Sequence, residues 1–310
     1  MTAADPTSCP PEKPFLGLPA GQLSRIDAEA VLLGIPFATV YPGQEPYSAA
    51  APAALRAAIS RYSPRLGHHD FELGGSLVES GFGAVVDAGD LVLDESDFPA
   101  NRRAITGATE RILAAGAVPI VIGGDDSVPI PVLQAYERAA PLTILQIDAH
   151  IDWRDEVEGE RYGLSSNMRR AAEMPWVERI VQVGMRSIGS ARRADYQAAL
   201  DWGVHIVTSR LVCKEGMETV LDLIPEGSNV YVAFDCDGMD SSVMPAVISP
   251  TPGGLTYWDL VDMIQGTAAR ANLLGFNLVE FAPDLDPAGN AALTAARIVL
   301  HAAAAAARSG

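Results

Sequence analysis

The sequence predicts an α/β fold in which a largely parallel sheet is covered by helices on both faces. Short, fully apolar runs alternate with segments whose apolar residues recur at helical spacing, and this alternation is typical of parallel sheets. Of the 310 residues, 48% are hydrophobic, which is enough for a large core. No linker divides the chain, so we expect one domain over residues 28–310. Residues 1–27, which are rich in proline, should form an extended arm.

Each strand is predicted from an apolar run bounded by turn residues, and each helix from the apolar spacing that follows. Predicted strands cover approximately Ala28–Pro36, Gly83–Gly89, Val118–Gly123, Leu142–Asp148, Arg179–Gly184, His205–Thr208, Asn229–Asp235 and Leu273–Phe281. Predicted helices cover approximately Ala50–Ser60, Phe98–Ala115, Ile130–Ala139, Ala191–Trp202, Val212–Leu223, Trp258–Arg270 and Asn290–Ala307. Ser96 or Asp97 should cap the second of these helices, and Gly116 should end it.

The charge and the cysteine content narrow the class of partner. A net charge of −17 argues against nucleic acid or an anionic membrane as a binding partner. The charge either favours a small cationic partner or serves only to keep the protein soluble. Three scattered cysteines provide no disulfide framework. The chain has no signal-peptide pattern and no uninterrupted apolar run of about 18 residues. We therefore expect a cytoplasmic protein.

Three potential metal ligands follow the apolar run that ends at Ile147. Asp148, His150 and Asp152 are spaced by two, so on an extended chain their side chains would project from one face. Ligands of open α/β sheets bind at this carboxyl end of the strands. Carboxylate and imidazole suit Mn, Fe, Ni, Co or Zn ions. The alternative is a strand end at which Asp caps the next helix and His faces solvent.

A second apolar run, residues 230–235, also ends in carboxylates. Asp235 and Asp237 are again spaced by two, whereas Cys236 between them should point to the opposite face and into the core. Carboxylates from two strands repel one another unless cations hold them. One divalent ion would not offset the charge of these carboxylates, and two ions about 3.5–4 Å apart would also activate a water molecule near neutral pH.

Two further polar features lie at strand ends. The segment Gly123–Ser127 (GGDDS) combines glycines, which allow close backbone approach, with the adjacent acids Asp125 and Asp126, although a simple capped turn would have the same composition. Glu280 lies in an apolar strand, where a carboxylate needs a positively charged partner. That partner would be Arg186 or a cationic substrate.

Four segments in this order and spacing resemble the ureohydrolase family, which includes arginase, agmatinase and guanidinobutyrase. They are GGDDS at 123–127, DAHID at 148–152, FDCDGMD at 234–240 and LVEFAPDLD at 278–286. The resemblance covers most of the chain from about Leu33 onward. It implies a three-layer αβα sandwich, two divalent metal ions (Mn or Ni), and hydrolysis of a guanidino carbon to urea and an amine. It also implies a trimer or a hexamer.

The resemblance implies roles for individual side chains. Six would bind the ions: Asp148 and Asp235 as bridges, Asp126 and Asp152 on the first ion, and His150 and Asp237 on the second. Asp152 would also carry a proton to the leaving nitrogen. Glu280 would accept two parallel N–H bonds from the planar guanidinium.

Three departures from the family pattern concern the site and its rim. Asp126 stands where the family usually has a histidine, so the first ion would have only oxygen ligands and should be a hard ion. Leu164 and Ser165 replace a His-Gly pair, and we expect them to bind a less polar or N-alkylated guanidine. The segment Pro42–Pro46 replaces the family's GxRxGP. These features are similar to those of the agmatinase-like branch, which includes hydrolases of guanidine, guanidino acids and biguanides such as metformin.

Two functional hypotheses follow. In the first, the chain is an active hydrolase of a small cationic guanidino or biguanide compound, assembled as a homo- or hetero-oligomer. In the second, the changes at Asp126 and Leu164 mark a non-catalytic homologous subunit of a heteromer. Metal content separates them, because a catalytic chain should bind about two ions.

Overall fold

A nine-stranded sheet forms the centre of the molecule in the computed structural model, which describes residues 6–77, 79, 82–189 and 191–307. The strands in this part of the chain are β1 (Ser8–Cys9), β2 (Ala30–Ile35), β3 (His69–Asp70), β4 (Gly75–Ser76), β5 (Val85–Leu91), β6 (Val118–Gly123), β7 (Leu142–Ile147), β8 (Val177–Met185), β9 (His205–Thr208), β10 (Asn229–Asp235) and β11 (Asn272–Val279). The order in the sheet is β1-β5-β2-β6-β11-β10-β7-β8-β9, and only β1 is antiparallel to its neighbour. Strands β3 and β4 form a separate hairpin.

Helices cover both faces of this sheet. They are α1 (Ala51–Ser60), α2 (Phe98–Ala114), α3 (Pro129–Gln134), α4 (Asn167–Ala172), α5 (Arg193–Trp202), α6 (Ser209–Glu215), α7 (Glu218–Leu221), α8 (Tyr257–Arg270) and α9 (Asn290–Ala306). Alternate strand residues divide between two apolar cores: one contains α1 and α6 to α9, and the other contains α2 to α5. The predicted three-layer αβα fold is confirmed. Within the described residues, no helix combines the length and apolar character that crossing a membrane requires.

The element boundaries differ from the predicted ones where a turn interrupts an apolar pattern. The helix predicted over Val212–Leu223 is instead the pair α6 and α7, because Gly216 has a φ of 85° and ends the first of them. The helix predicted to reach Ala139 ends at Gln134 and is followed by a short 3-10 turn. The cap at Asp97 is as predicted, since its side chain accepts the N–H of Ala100.

The described part of the predicted arm packs against its own chain. Strand β1 extends the sheet by pairing with β5, and Phe15 is buried with its N–H 2.9 Å from an oxygen of Asp87. That carboxylate also pairs with the buried guanidinium of Arg56 from α1. The arm is therefore held by backbone pairing and by a buried ion pair, whereas the division of the chain at residue 27 stays a prediction.

Candidate metal centre

The predicted site residues follow four strands that are neighbours in the sheet. In the order β6-β11-β10-β7, all four strands run parallel, so their carboxyl ends lie at one edge. Asp126 follows β6, Glu280 follows β11, Asp235 ends β10, and Asp148 follows β7. The parallel register is thus what brings distant segments of the sequence to one place.

Two overlapping groups of side chains have the spacing of metal ligands. Asp126, Asp148 and Asp152 each offer an oxygen, and these atoms lie within 4.8 Å of one another. Asp148, His150 and Asp237 form a second group by the same measure. Asp148 belongs to both groups. The structure therefore provides two adjacent positions for a cation, one lined by carboxylates and one that includes an imidazole.

The convergence of Asp148, His150 and Asp152 does not come from strand alternation, and that prediction is wrong. Strand β7 ends at Ile147, so none of the three residues is in extended structure. Asp152 has a φ of 43°, a left-handed conformation that is uncommon for residues other than glycine. The chain therefore turns sharply after β7, and this turn returns the carboxylate of Asp152 towards that of Asp148.

Asp235 and Asp237 enter the site from β10 and the turn that follows it. Asp235 lies outside both ligand groups, and its Oδ1 accepts the N–H of Asp237 at 2.7 Å. Asp237 accepts the N–H of Ala149 at 3.0 Å, which ties this turn to the segment after β7. Gly238 permits the approach, because a Cβ there would lie 2.8 Å from the main-chain nitrogen of Asp148. Cys236 is buried in the opposite core, as predicted.

The two acids of the GGDDS segment have different surroundings. Asp125 turns to its own loop, where Oδ1 accepts the main-chain N–H of Ser127 at 3.0 Å and also its hydroxyl. Asp126 points into the site and receives hydrogen bonds from the Nδ2 of Asn167 to both its carbonyl and its carboxylate. Of the two acids, only Asp126 is in a ligand group.

Glu280 accepts hydrogen bonds from a main-chain N–H and from a tyrosine hydroxyl, and of its two predicted partners the structure excludes Arg186. It lies just beyond β11 with a φ of 67°, and its Oε1 accepts the N–H of Asp126 at 2.8 Å. Tyr47 donates its hydroxyl to both carboxylate oxygens, each at 2.7 Å. Arg186 is not the partner, because its N–H groups donate to main-chain carbonyls, including those of Asp237 and Thr251. Tyr47 belongs to none of the motifs, and no spacing signal distinguishes it within its loop.

Leu164 and Ser165 lie in a 3-10 turn that contacts the loop containing Tyr41. The N–H of Ser165 donates to the hydroxyl of Tyr41 at 3.2 Å. Gly163 lies directly against the same ring, since a Cβ there would be 2.1 Å from Cε1 of Tyr41. Ser165 is buried and Leu164 is half-buried. This 3-10 turn is thus in contact with Tyr41, the residue that immediately precedes the Pro42–Pro46 segment.

The electrostatics of the site favour cations. Burial, followed by the charge of neighbouring carboxylates, raises the pKa of Asp126, Asp148 and Asp235 well above the usual range. Burial and the charge of Asp125 raise the pKa of Glu280 to about 8, although hydrogen bonds from Tyr47 and the Asp126 amide oppose this. Burial lowers the pKa of His150, but Asp237, 3.1 Å from Nδ1, outweighs it and raises that pKa to about 9.

The donor set fits divalent metal ions. Six carboxylates of the cluster are at most 5% exposed: Asp126, Asp148, Asp152, Asp235, Asp237 and Glu280. A single imidazole faces them, so the buried negative charge far exceeds the positive charge supplied by the described side chains around it. Carboxylate oxygens with one imidazole nitrogen are ligands that suit hard or borderline divalent ions.

Protein freed of metal ions should lose thermal stability as the pH rises from about 5 to 8. The folded state retains protons on carboxyls whose pKa is raised, whereas the unfolded chain loses them near the ordinary carboxyl pKa of about 4. The stabilising contribution is therefore complete below pH 4 and is lost as the pH passes the raised values, which for Glu280 is about 8. Melting temperatures after chelator treatment, with and without added Mn²⁺, measure this. A melting temperature that stays flat in the metal-free protein would contradict the prediction.

Comparison with known proteins agrees with this geometry. The profile described as "Arginase family" matches residues 28–305. The chain belongs to the arginase family. It is therefore a metal-dependent hydrolase of the ureohydrolase type, and the two groups of ligand atoms lie where its sequence motifs converge.

Relatives of this ureohydrolase have lengths similar to its own. It is 29% identical over 310 residues to the mitochondrial agmatinase of Gallus gallus, and the match covers 94% of this chain and 88% of that protein. It is 28% identical over 315 residues to the mitochondrial guanidino acid hydrolase of Homo sapiens, over 96% of this chain and 86% of that one. The solved structure of proclavaminate amidino hydrolase from Streptomyces clavuligerus superposes with a TM-score of 0.84 at 24% identity, covering 98% and 99% of the two chains, and confirms the fold.

Proposed function

We propose that this ureohydrolase cleaves a C–N bond of a small guanidino or biguanide compound, releasing urea or guanylurea and an amine. The observation that supports the proposal is the pair of ligand groups sharing Asp148, with the carboxylate of Glu280 in the same buried cluster. A guanidinium is planar and cationic, so it matches a carboxylate placed beside a site for water activation.

We propose the following ligands for two divalent ions, Mn or Ni. Six side chains would hold them: Asp126 and Asp152 the first ion, His150 and Asp237 the second, and Asp148 with Asp235 both. Five of the six are in the two ligand groups, and the proposal adds Asp235 from the end of β10. When bound, the ions would supply a water nucleophile at neutral pH and stabilise negative charge that develops in the transition state. Asp152 is the proposed proton carrier to the leaving nitrogen, because its carboxylate is buried next to Asp148.

Glu280 and the rim would select and orient the substrate. Glu280 would accept N–H bonds from the guanidinium and place its carbon in the site. Leu164 and Ser165 would contact the rest of the substrate, and the apolar side chain of Leu164 favours an alkyl substituent. Relatives named agmatinase and guanidino acid hydrolase make agmatine and guanidino acids the first candidates, and an N-alkylated compound such as metformin is the third.

A substrate panel tests the proposal. Purified protein loaded with Mn²⁺ or Ni²⁺ is incubated with guanidine, agmatine, guanidino acids and metformin, and urea or guanylurea is measured. We expect one compound to be hydrolysed with a kcat/KM well above that of the others. Two bound ions without hydrolysis of any of these compounds would overturn the proposed substrate class.

A second candidate function is that of a non-catalytic subunit in a heteromer. Two observations favour the subunit role. Asp126 stands in the place of the family histidine, and the hydroxyl of Tyr47 is hydrogen-bonded to both carboxylate oxygens of Glu280. Metal content per purified chain distinguishes the two functions, since about two ions per chain support catalysis and none supports the subunit role. The catalytic proposal includes a homo- or hetero-oligomer, whereas the subunit proposal requires a hetero-oligomer. Both proposals include a trimeric or hexameric assembly and a cytoplasmic location.

Replacing Tyr47 with phenylalanine should lower the KM for the guanidino substrate by about tenfold, because a hydrogen bond to a charged group contributes roughly 1.5–3 kcal/mol. The hydroxyl occupies both oxygens of Glu280, so a guanidinium has to displace it. Steady-state kinetics of Tyr47→Phe measure the effect, and Tyr196→Phe, on the exposed face of α5, is the matched control. A raised KM would show instead that the hydroxyl helps to bind substrate.

A further inference from the structure

Three amide side chains are buried at the carboxylate cluster, and no role has been assigned to them so far. Gln146 on β7 and Gln182 on β8 lie side by side, and Asn167 begins α4. Each is at most 1% exposed. A buried amide is costly unless its N–H and C=O groups are paired, so the partners of these side chains indicate what they do.

Gln146 bridges two of the carboxylates. Its Nε2 lies 2.7 Å from Oδ2 of Asp148 and 3.1 Å from Oδ2 of Asp152. Ionised carboxylates accept hydrogen bonds and cannot donate them, so the amide nitrogen of Gln146 has to face them. Both N–H groups of this single amide are therefore used on two residues of the same ligand group.

Gln182 fixes the orientation of Gln146. Its Nε2 donates to Oε1 of Gln146 at 2.6 Å and to the carbonyl of Ile151 at 2.8 Å. The carbonyl of Ile151 thus fixes the orientation of Gln182, Gln182 fixes that of Gln146, and Gln146 donates to the two carboxylates. Reversing either amide would place oxygen against oxygen.

The amide donors are concentrated at one of the two ligand groups. Asn167 donates to Asp126, and Gln146 donates to Asp148 and Asp152, so all three carboxylates of the all-oxygen group accept an N–H from a neutral side chain. In the other group, Asp237 is paired with His150 and with the main-chain N–H of Ala149. An amide stabilises a carboxylate and orients it without adding a positive charge that would repel a cation.

We propose that Gln146, held by Gln182, is a positioning residue that sets Asp148 and Asp152 side by side for the first metal ion. The inference rests on the proposed two-metal function. Each amide N–H engages the Oδ2 of one carboxylate, and the Oδ1 of Asp148 accepts the main-chain N–H of His150. A carboxylate oxygen that accepts one hydrogen bond keeps a lone pair for an ion. The fully carboxylate group, which lacks the family histidine, gains in this way the rigidity that an imidazole would otherwise contribute.

The test measures metal affinity, not turnover alone. In Gln146→Leu, we expect one of the two Mn²⁺ sites to weaken by about 10- to 100-fold, the usual effect of losing a group that orients a ligand. Gln182→Leu, which removes no bond to a carboxylate, should weaken the same site by a smaller factor. Titration of free Mn²⁺ against metal-free protein gives both affinities, and the melting temperature of the metal-free protein reports on folding separately. At saturating metal, kcat should fall while KM is unchanged.

Asn277→Leu is the matched control. Asn277 is a fully buried amide on β11, and neither of its polar atoms has a hydrogen-bond partner among the described residues. Its replacement should leave both metal affinities unchanged. If wild-type protein binds two ions and both glutamine variants bind them equally well, the positioning role is overturned while the proposed function stands. If wild-type protein binds no ions, both are overturned. If Gln146→Leu does not fold, Gln182→Leu decides the outcome.

Discussion

Replacing Asp148 with asparagine should release both metal ions and lower the rate of substrate hydrolysis by at least about 1000-fold, since bound ions supply several kcal/mol of transition-state stabilisation. Asp148 is the only residue shared by the two ligand groups, so its loss damages both positions at once. Asparagine has nearly the same shape, but its nitrogen cannot ligate a cation and its remaining oxygen carries no charge. Elemental analysis of the purified variant, together with a urea or guanylurea assay, measures both effects.

The same substitution should not unfold the protein. Asp148 is fully buried among carboxylates that raise its pKa, so a neutral amide removes repulsion from the metal-free protein. The asparagine nitrogen would face one of the two N–H donors, Gln146 or His150, which opposes this gain. We therefore expect the metal-free melting temperature of Asp148→Asn to be close to that of the wild type. Asp201→Asn, on the exposed surface of α5, should retain full metal content and activity. Turnover retained in Asp148→Asn would refute the two-metal assignment.

Replacing Glu280 with glutamine should lower kcat/KM for the guanidino substrate by about 100-fold or more, because hydrogen bonds to a charged group contribute roughly 1.5–3 kcal/mol each. A carboxylate can accept two parallel N–H bonds from a guanidinium, whereas an amide has one oxygen and turns donors towards the substrate. The loss should therefore be specific to substrates that carry this cation. Steady-state kinetics on the substrate found in the panel measure it.

Metal content separates this effect from damage to the metal site. Glu280 belongs to neither ligand group, so Glu280→Gln should still bind about two ions per chain if the proposed centre is correct. Glu226→Gln changes an exposed glutamate in a turn and serves as the control for the chemistry of the substitution. An unchanged kcat/KM in Glu280→Gln would show that the guanidinium binds elsewhere, with the metal assignment unaffected.

The site residues that lie within short sequence motifs could be predicted from the sequence. Asp148, His150 and Asp237 come from short segments whose spacing and residue types indicate a metal site. Strand alternation does not bring them together, because β7 stops at Ile147 and the chain then turns. A sequence pattern identifies that a strand is ending, but the turn with a φ of 43° at Asp152 also involves a contact from another strand, since Gln182 on β8 donates to the carbonyl of Ile151.

Gln146 and Tyr47 illustrate two kinds of residue that the motifs did not include. Gln146 did leave a signal, since an amide two positions before Asp148 in an otherwise apolar run requires buried partners. Tyr47 left none, because it lies in a loop of proline and glycine residues whose path is set by packing. Its contact with Glu280 joins residues 233 positions apart.

The order of apolar strands and helices, read from the sequence alone, determined the three-layer fold, because burial on both faces of a parallel sheet leaves that pattern in any chain that adopts it. The motifs likewise predicted a set of acids and one histidine, five of which form the two ligand groups. Only the tertiary structure decided how the four strand ends are ordered at one edge, which carboxylates share an amide donor, and that a tyrosine occupies Glu280. These are distances between remote segments, and they depend on the packing of the whole sheet, which local propensity does not encode.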